Sequence, residues 1–85
     1  MINVCVIGLG YVGLPILINL SKKYKTIGYD INKQRIKDLK KGKDLFNEFT
    51  KKILKKSKIN FTDSTDLIKN SNLFIITVPT PINKK

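Results

Sequence analysis

The 85-residue chain has a single cysteine and no long apolar run, and these scarcities exclude several classes of protein. Cys5 cannot form an internal disulfide, and we expect its thiol to be buried and unreactive in the middle of the first strand. No stretch of about 20 apolar residues is present, so no membrane span is expected. The amino terminus shows no charged segment followed by a long apolar one, so no secretory signal is predicted. These features favour one small cytoplasmic domain.

Arginine and acidic residues are also scarce, which bears on nucleic acid binding. The chain has 17 Lys and Arg against 6 Asp and Glu, a formal charge of +11. Such a balance occurs in nucleic-acid-binding proteins, but those usually read bases and phosphates with arginine, and here Arg35 is the only one. The lysines concentrate between residues 37 and 58, around apolar residues at helical spacing, which favours a solvated helix face. We therefore expect no nucleic acid partner, and nucleic acid binding stays the weaker alternative.

A glycine-rich turn follows the first predicted strand and is the most informative feature of the chain. Residues 4–13 read VCVIGLGYVG, a short apolar strand that continues into Gly-x-Gly-x-x-Gly. In such a turn Gly8 permits a sharp bend, Gly10 lets the backbone approach a pyrophosphate, and Gly13 lets the next helix pack close to the strand. The N–H groups and the dipole of that helix favour an anion at its start. The pattern predicts a site for the pyrophosphate of a dinucleotide.

An acidic residue at the end of the second predicted strand supports the same interpretation. Asp30 lies 22 residues after Gly8, close to the spacing of about 20 expected for an acid that binds a ribose hydroxyl. Its charge would repel a 2′-phosphate, so we expect NAD rather than NADP. Asp30 could instead cap a helix, and the glycines could serve packing alone. Arg35 is equally compatible with a cofactor contact and with a solvated helix position.

The order of the predicted elements indicates an α/β fold. Four strands are predicted, at residues 2–7, 26–30, 59–62 and 73–78. Helices are predicted at residues 11–23 and 33–41, in one or two short stretches within 43–58, and in a brief stretch that is capped by Asp63 or Ser64 and ends at Lys69. Asn32 is expected to cap the helix at 33–41 and Gly42 to end it. Alternating strands and helices predict a parallel, Rossmann-like sheet with flanking helices, in the order 3-2-1-4.

The fourth predicted strand is almost wholly apolar, and the sheet would be incomplete after it. In the order 3-2-1-4 this strand lies at an open edge, where a long apolar strand is a liability. We therefore expect residues 1–85 to be the amino-terminal part of a dinucleotide-binding domain. Such a chain is a fragment, a truncated product or a protein that needs a partner.

Three strings occur in a distinctive order: GLGYVGLP at residues 8–15, GYDIN at 28–32 with Arg35 and Ile36, and VPTP at 78–81. Together they resemble the amino-terminal NAD-binding domain of the UDP-glucose/GDP-mannose dehydrogenase family over nearly the whole chain. The pair Leu14-Pro15 looks most like the branch that acts on UDP-N-acetylated hexosamines (mannosamine, galactosamine or glucosamine). The string at 78–81 argues against a 6-phosphogluconate or hydroxyacyl dehydrogenase.

The resemblance implies both a reaction and residue roles. Members of the family oxidise C6 of a nucleotide-linked sugar from alcohol to carboxylate with two NAD molecules in succession, and so supply polysaccharide precursors. By resemblance, Tyr11 and Val12 would present backbone N–H groups to the pyrophosphate, and Asp30 would bind the adenosine ribose. Arg35 would lie beside the adenine and ribose, and Thr80 would contact the cofactor, unless it is only a turn residue. The predicted cofactor-binding residues are Gly8, Gly10, Tyr11, Val12, Gly13, Asp30, Arg35 and Thr80.

The resemblance assigns no catalytic role within these 85 residues. The family's nucleophilic cysteine, its catalytic Lys and Asp, its dimerising helix and its nucleotide-sugar domain all correspond to positions after residue 85, and Cys5 does not match the nucleophile motif. No catalytic residue and no metal ligand are predicted. A nucleotide sugar would bind only a full-length form, which in this family is a homo-oligomer, and this chain is expected to be inactive. A stand-alone nucleotide-binding module without catalysis stays an alternative.

Overall fold

The computed structural model describes residues 2–44 and 49–77. Four strands, three α-helices and one 3₁₀ helix follow one another within these ranges. In chain order they are β1 (Asn3–Ile7), α1 (Gly13–Leu20), β2 (Lys25–Tyr29), α2 (Lys33–Lys40), α3 (Lys51–Lys56), β3 (Asn60–Thr62), the 3₁₀ helix (Thr65–Ile68) and β4 (Leu73–Ile76).

The four strands form one parallel sheet in the order β3-β2-β1-β4. β1 is flanked by β2 and β4, and Ile7 at its carboxyl end lies opposite both Tyr29 and Ile76. The predicted α/β fold and the strand order 3-2-1-4 are confirmed. Because all strands run the same way, the residues that follow Ile7, Tyr29 and Ile76 lie close together at the carboxyl end of the sheet.

One face of the sheet carries the hydrophobic core. Val6 lies opposite Gly28, which lies opposite Phe61, so these three residues share a face. A Cβ atom on Gly28 would lie only 2.5 Å from a methyl carbon of Leu17, so α1 packs against β2 without an intervening side chain. The helices cover this face, and the core is formed by Val6, Leu9, Leu14, Leu17, Ile18, Ile36, Leu39, Leu54 and Phe61.

The helix boundaries differ in part from the predicted ones. α1 begins at Gly13 rather than residue 11 and ends at Leu20 rather than residue 23, because turns occupy the residues on either side. α2 is capped as predicted: the Asn32 side chain accepts a hydrogen bond from the Arg35 N–H at 3.1 Å, and Gly42 follows the helix with a φ of 82°. Of the predicted helical stretch at 43–58 the structure describes α3, and residues 45–48 lie outside the described residues.

β4 forms the edge of the sheet, as predicted. Its residues Leu73, Phe74 and Ile76 are 50%, 43% and 66% exposed. The structure describes this strand over Leu73–Ile76, and residue 78, where the predicted strand ends, lies outside the described residues.

Cys5 occupies the centre of β1 and is fully buried, as predicted. Burial raises the pKa of its thiol above the ordinary value of 9.0, because the thiolate would lose its hydration inside the sheet. Over residues 2–44 and 49–77, no helix has both the length and the apolar character that a membrane span requires.

Candidate functional site

The turn after β1 depends on the conformation of Gly8. This residue has a φ of 96°, in the left-handed region that side chains disfavour. Its N–H donates to the carbonyl oxygen of Tyr29 at 2.8 Å, which continues the β1–β2 pairing by one residue. The chain therefore turns sharply out of the sheet at Gly8, at the carboxyl end of the strands.

Gly13 is required by the close approach of α1 to this turn. A Cβ atom on Gly13 would overlap the carbonyl oxygen of Gly8 and the Oγ1 atom of Thr77. Any larger residue would therefore push the start of α1 away from the end of β1. The third glycine of the pattern serves the packing of the helix on the turn.

Gly10 differs from the other two glycines because no contact within residues 2–44 and 49–77 requires it. A Cβ atom on Gly10 would have no heavy atom of these described residues within 4 Å, and its φ lies outside the left-handed region. Tyr11 and Val12, which follow Gly10, are 66% and 61% exposed. Open space over a glycine at the amino end of α1 fits the close approach of a phosphate group, since the first N–H groups of a helix point in that direction.

Two side chains hold the peptide group between Gly8 and Leu9. The Leu9 N–H donates to Oδ2 of Asp30 at 2.9 Å, and the Gly8 carbonyl accepts from the Thr77 hydroxyl at 2.7 Å. These side chains come from the segments that follow β2 and β4. The first bend of the turn is thus fixed by the ends of both strands that flank β1.

Asp30 lies where the sequence predicts the ribose-binding acid. Its Oδ1 accepts the Asn32 N–H at 2.9 Å, while its Oδ2 accepts the Leu9 N–H. The alternative that Asp30 caps α2 is wrong, because the cap is the side chain of Asn32. A carboxylate oxygen accepts more than one hydrogen bond, so Asp30 retains capacity for a ribose hydroxyl.

Arg35 is buried, and the alternative of a solvated helix position is wrong. It is 7% exposed, its Nε donates to the carbonyl oxygen of Leu9 at 2.8 Å, and its Nη1 pairs with Oδ1 of Asp44 at 2.9 Å. The other oxygen of Asp44 accepts the Phe49 N–H at 3.1 Å. Arg35 therefore connects the glycine turn to the segment after α2.

The chain matches one protein family over nearly its whole length. The model of the "UDP-glucose/GDP-mannose dehydrogenase family, NAD binding domain" matches residues 2–85. The chain belongs to this family. The predicted family is confirmed, and NAD is the cofactor of the matched domain.

Related proteins cover the chain almost completely. Protein CapL of Staphylococcus aureus is 48% identical over 82 residues, which are 96% of this chain and 19% of that protein. UDP-N-acetyl-D-glucosamine 6-dehydrogenase of Salmonella typhi is 45% identical over 83 residues, 96% of this chain and 20% of that protein. The solved UDP-D-ManNAc dehydrogenase of Pyrococcus horikoshii superposes with a TM-score of 0.85 at 36% identity, over 96% of this chain and 21% of that one. This chain spans about a fifth of the length of these relatives.

In this family member the structure brings most of the predicted site residues together at the carboxyl end of the sheet. Residues 8–13 form the turn, and Asp30 and Arg35 both hydrogen bond to Leu9 within it. Thr80 lies outside the described residues, so its contact with the cofactor stays a prediction.

Sequence reasoning missed Asp44 and Thr77. A signal for Thr77 was available, because a polar residue at the carboxyl end of an apolar strand next to β1 must lie near Gly8. No comparable signal pointed to Asp44.

Proposed function

We propose that residues 1–85 form the amino-terminal, NAD-binding part of a nucleotide-sugar 6-dehydrogenase. In the proposed reaction the C6 alcohol of a UDP-linked N-acetylhexosamine is oxidised to a carboxylate by two NAD molecules in succession, which supplies polysaccharide precursors. Relatives named UDP-N-acetyl-D-glucosamine 6-dehydrogenase and UDP-N-acetyl-D-mannosamine dehydrogenase support this branch. The observation that carries the proposal is the open space that the described residues leave over Gly10, between the left-handed Gly8 and the amino end of α1.

The pyrophosphate would lie against Gly10. The missing side chain there leaves room for the phosphates, and the backbone N–H groups of Tyr11 and Val12 would donate to their oxygens. Because α1 begins at Gly13, its dipole would place partial positive charge at the same point.

The adenosine ribose would lie against Asp30, whose carboxylate would accept hydrogen bonds from its hydroxyl groups. The same negative charge would repel a 2′-phosphate, so the site should favour NAD over NADP. Arg35 would approach the adenosine from α2, where it already holds the Leu9 carbonyl, and Thr80 would approach from the loop after β4.

Oxidation of the sugar would need groups that we do not assign to this chain. Cys5 is buried in the centre of β1, away from the carboxyl edge of the sheet, so it does not serve as a nucleophile. NAD, when bound, accepts the hydride, and these residues hold and orient it. We expect the 85-residue chain to bind NAD without turning over a nucleotide sugar, and the full-length form to be a homo-oligomer.

Isothermal titration of the purified chain with NAD tests this function, with Gly10→Val as the comparison. The wild type should bind NAD weakly. The variant should lose that binding, because its side chain would fill the space intended for the phosphates. Absence of heat at millimolar NAD, from a protein shown to be folded by circular dichroism, would contradict the proposal. Equal affinity of the two proteins would mean that NAD binds elsewhere.

A DNA titration at two salt concentrations separates the nucleic-acid alternative. We expect only weak, strongly salt-dependent binding that follows from the positive net charge. Site-specific DNA binding that is tighter than NAD binding would favour the alternative.

A further inference from the structure

We propose that Thr77 is a positioning residue for NAD, acting through the Gly8–Leu9 peptide group and Asp30. This inference rests on the proposed function, since it concerns the same cofactor. Thr77 belongs to neither the glycine pattern nor the set of residues implied by the family resemblance. Its role follows from the hydrogen bonds that Thr77 and Asp30 make with the Gly8–Leu9 peptide group at the carboxyl end of the sheet.

The backbone of Thr77 is fixed by the sheet. Its N–H donates to the carbonyl oxygen of Ile7 at 2.8 Å, which extends the β4–β1 pairing one residue beyond β4. Its Oγ1 lies 2.7 Å from the carbonyl oxygen of Gly8 and 3.3 Å from that of Ile7. A hydroxyl has one proton to donate, and the shorter distance assigns it to Gly8.

The hydrogen bond from Thr77 acts on a peptide group that Asp30 holds from the other side. Because the peptide group is planar, the Gly8 carbonyl and the Leu9 N–H move as one unit. The Leu9 N–H donates to Oδ2 of Asp30 at 2.9 Å. A rotation of this unit would therefore break both hydrogen bonds together.

Gly8 makes such a restraint necessary. Glycine reaches more backbone conformations than any other residue, so the sharp bend at a φ of 96° is not enforced by its own sterics. Thr77 and Asp30 supply the restraint from the segments that follow β4 and β2. The bend is then preorganised before a ligand arrives.

Preorganisation of this peptide would act on both halves of the NAD site. Gly10, which would face the pyrophosphate, follows the peptide by one residue, and Asp30, which would face the ribose, is hydrogen bonded to it. Without the Thr77 hydroxyl, NAD binding would have to order the bend. The loss of one such hydrogen bond should weaken NAD binding about threefold to tenfold.

The test compares the NAD dissociation constants of Thr77→Val, Thr77→Ser and the wild type. Valine keeps the β-branched shape but removes the hydroxyl, whereas serine keeps the hydroxyl. We expect the valine variant to bind NAD more weakly by the factor given above and the serine variant to bind as the wild type does. Thr26→Val is the matched control, because it makes the same chemical change at a buried position within β2, away from the turn.

Amide hydrogen exchange of the free proteins gives a readout that does not depend on NAD. Thr77→Val should lower the protection of the Leu9 N–H and leave that of Val4, at the other end of β1, unchanged. Thr26→Val should leave the Leu9 N–H protected. If the valine variant does not fold, Thr77→Ala removes the hydroxyl without placing a methyl group beside the Gly8 carbonyl.

The outcomes separate this inference from the proposed function. If the wild type does not bind NAD, the proposed function fails. If Leu9 N–H exchange is unchanged in a folded variant that lacks the hydroxyl, the restraint by Thr77 is overturned as well. If the wild type binds NAD and a folded variant without the hydroxyl binds it equally well, the proposed function stands and the inference is overturned. A variant that is less stable but retains full affinity would likewise show that Thr77 is only structural.

Discussion

Arg35 and Asp44 form a buried ion pair, with Nη1 of the arginine 2.9 Å from Oδ1 of the aspartate. Their side chains are 7% and 0% exposed. Arg35 also holds the carbonyl oxygen of Leu9, so the pair fastens the segment after α2 to the glycine turn. A buried ion pair adds little to the stability of a fold compared with a well-packed apolar pair. Removal of one partner is nevertheless costly, because it leaves an uncompensated buried charge.

Asp44→Ala should therefore be strongly destabilising. We expect the free energy of unfolding to fall by about 3–5 kcal/mol, because the guanidinium of Arg35 stays buried without its carboxylate. Urea denaturation followed by circular dichroism measures this. The control is Asp66→Ala, which removes the exposed ion pair with Lys69 and should cost at most about 1 kcal/mol. Equal losses of unfolding free energy in the two variants would show that the buried ion pair contributes no more to stability than the exposed one.

The three glycines of the turn should respond differently to substitution. Gly13→Ala should destabilise the fold by about 1–3 kcal/mol or more, because the added Cβ overlaps the Gly8 carbonyl. Gly10→Val should retain the thermal stability of the wild type, since none of the described residues lies within 4 Å of a Cβ atom at that position. Thermal unfolding of both variants checks the difference. A large loss of stability in Gly10→Val would mean that Gly10 is needed for the fold itself.

Asp30→Asn should weaken NAD binding and narrow the preference for NAD over NADP. The amide removes the charge that repels a 2′-phosphate, and its single acceptor oxygen can replace only part of the present hydrogen bonding to Leu9 and Asn32. Because hydrogen bonds to a charged acceptor are involved, we expect NAD affinity to fall about tenfold or more. Titrations with NAD and NADP measure both quantities.

Asp66→Asn is the matched control for that substitution. It changes the net charge equally, but at an exposed side chain in the 3₁₀ helix. It should leave both affinities unchanged. A similar change in coenzyme preference in both variants would point to net charge rather than to Asp30.

The thiol of Cys5 should be protected from reagents in the native protein. Burial raises its pKa, so the reactive thiolate is depleted, and the sheet blocks access. An aromatic disulfide reagent should react slowly with the folded chain and quickly in urea. Raising the pH towards 9.0, the ordinary pKa of the thiol, should accelerate the reaction of the unfolded chain far more than that of the folded chain. Equal rates would contradict the buried position.

The strand order could be predicted from the sequence because local signals agree with one another. The apolar strand before the glycine turn and the cap and stop residues Asn32 and Gly42 each indicate a boundary, and alternation of strands and helices then leaves few topologies. The start of α1 was predicted two residues early, because apolar spacing does not distinguish the turn at Tyr11 and Val12 from the first turn of a helix.

The side chains that fix the glycine turn were harder to predict. The Thr77 hydroxyl bonds to a backbone carbonyl 69 residues earlier in the chain, and such a contact depends on two strand ends that meet only in the folded sheet. Arg35 lies on a helix surrounded by lysines, where solvation is the ordinary expectation. Its buried partners, the Leu9 carbonyl and the Asp44 carboxylate, lie outside that helix.

The central claim is that NAD binds on the turn at residues 8–13 and against Asp30. A titration of ¹⁵N-labelled chain with NAD, followed by amide chemical shifts, tests it most directly. The account predicts that the largest changes occur at Gly10, at the amides that follow it to Gly13, and at Asp30. A folded chain that shows no change at millimolar NAD, or changes confined to the groove between α1 and α3 around Ile18 and Ile53, would contradict it.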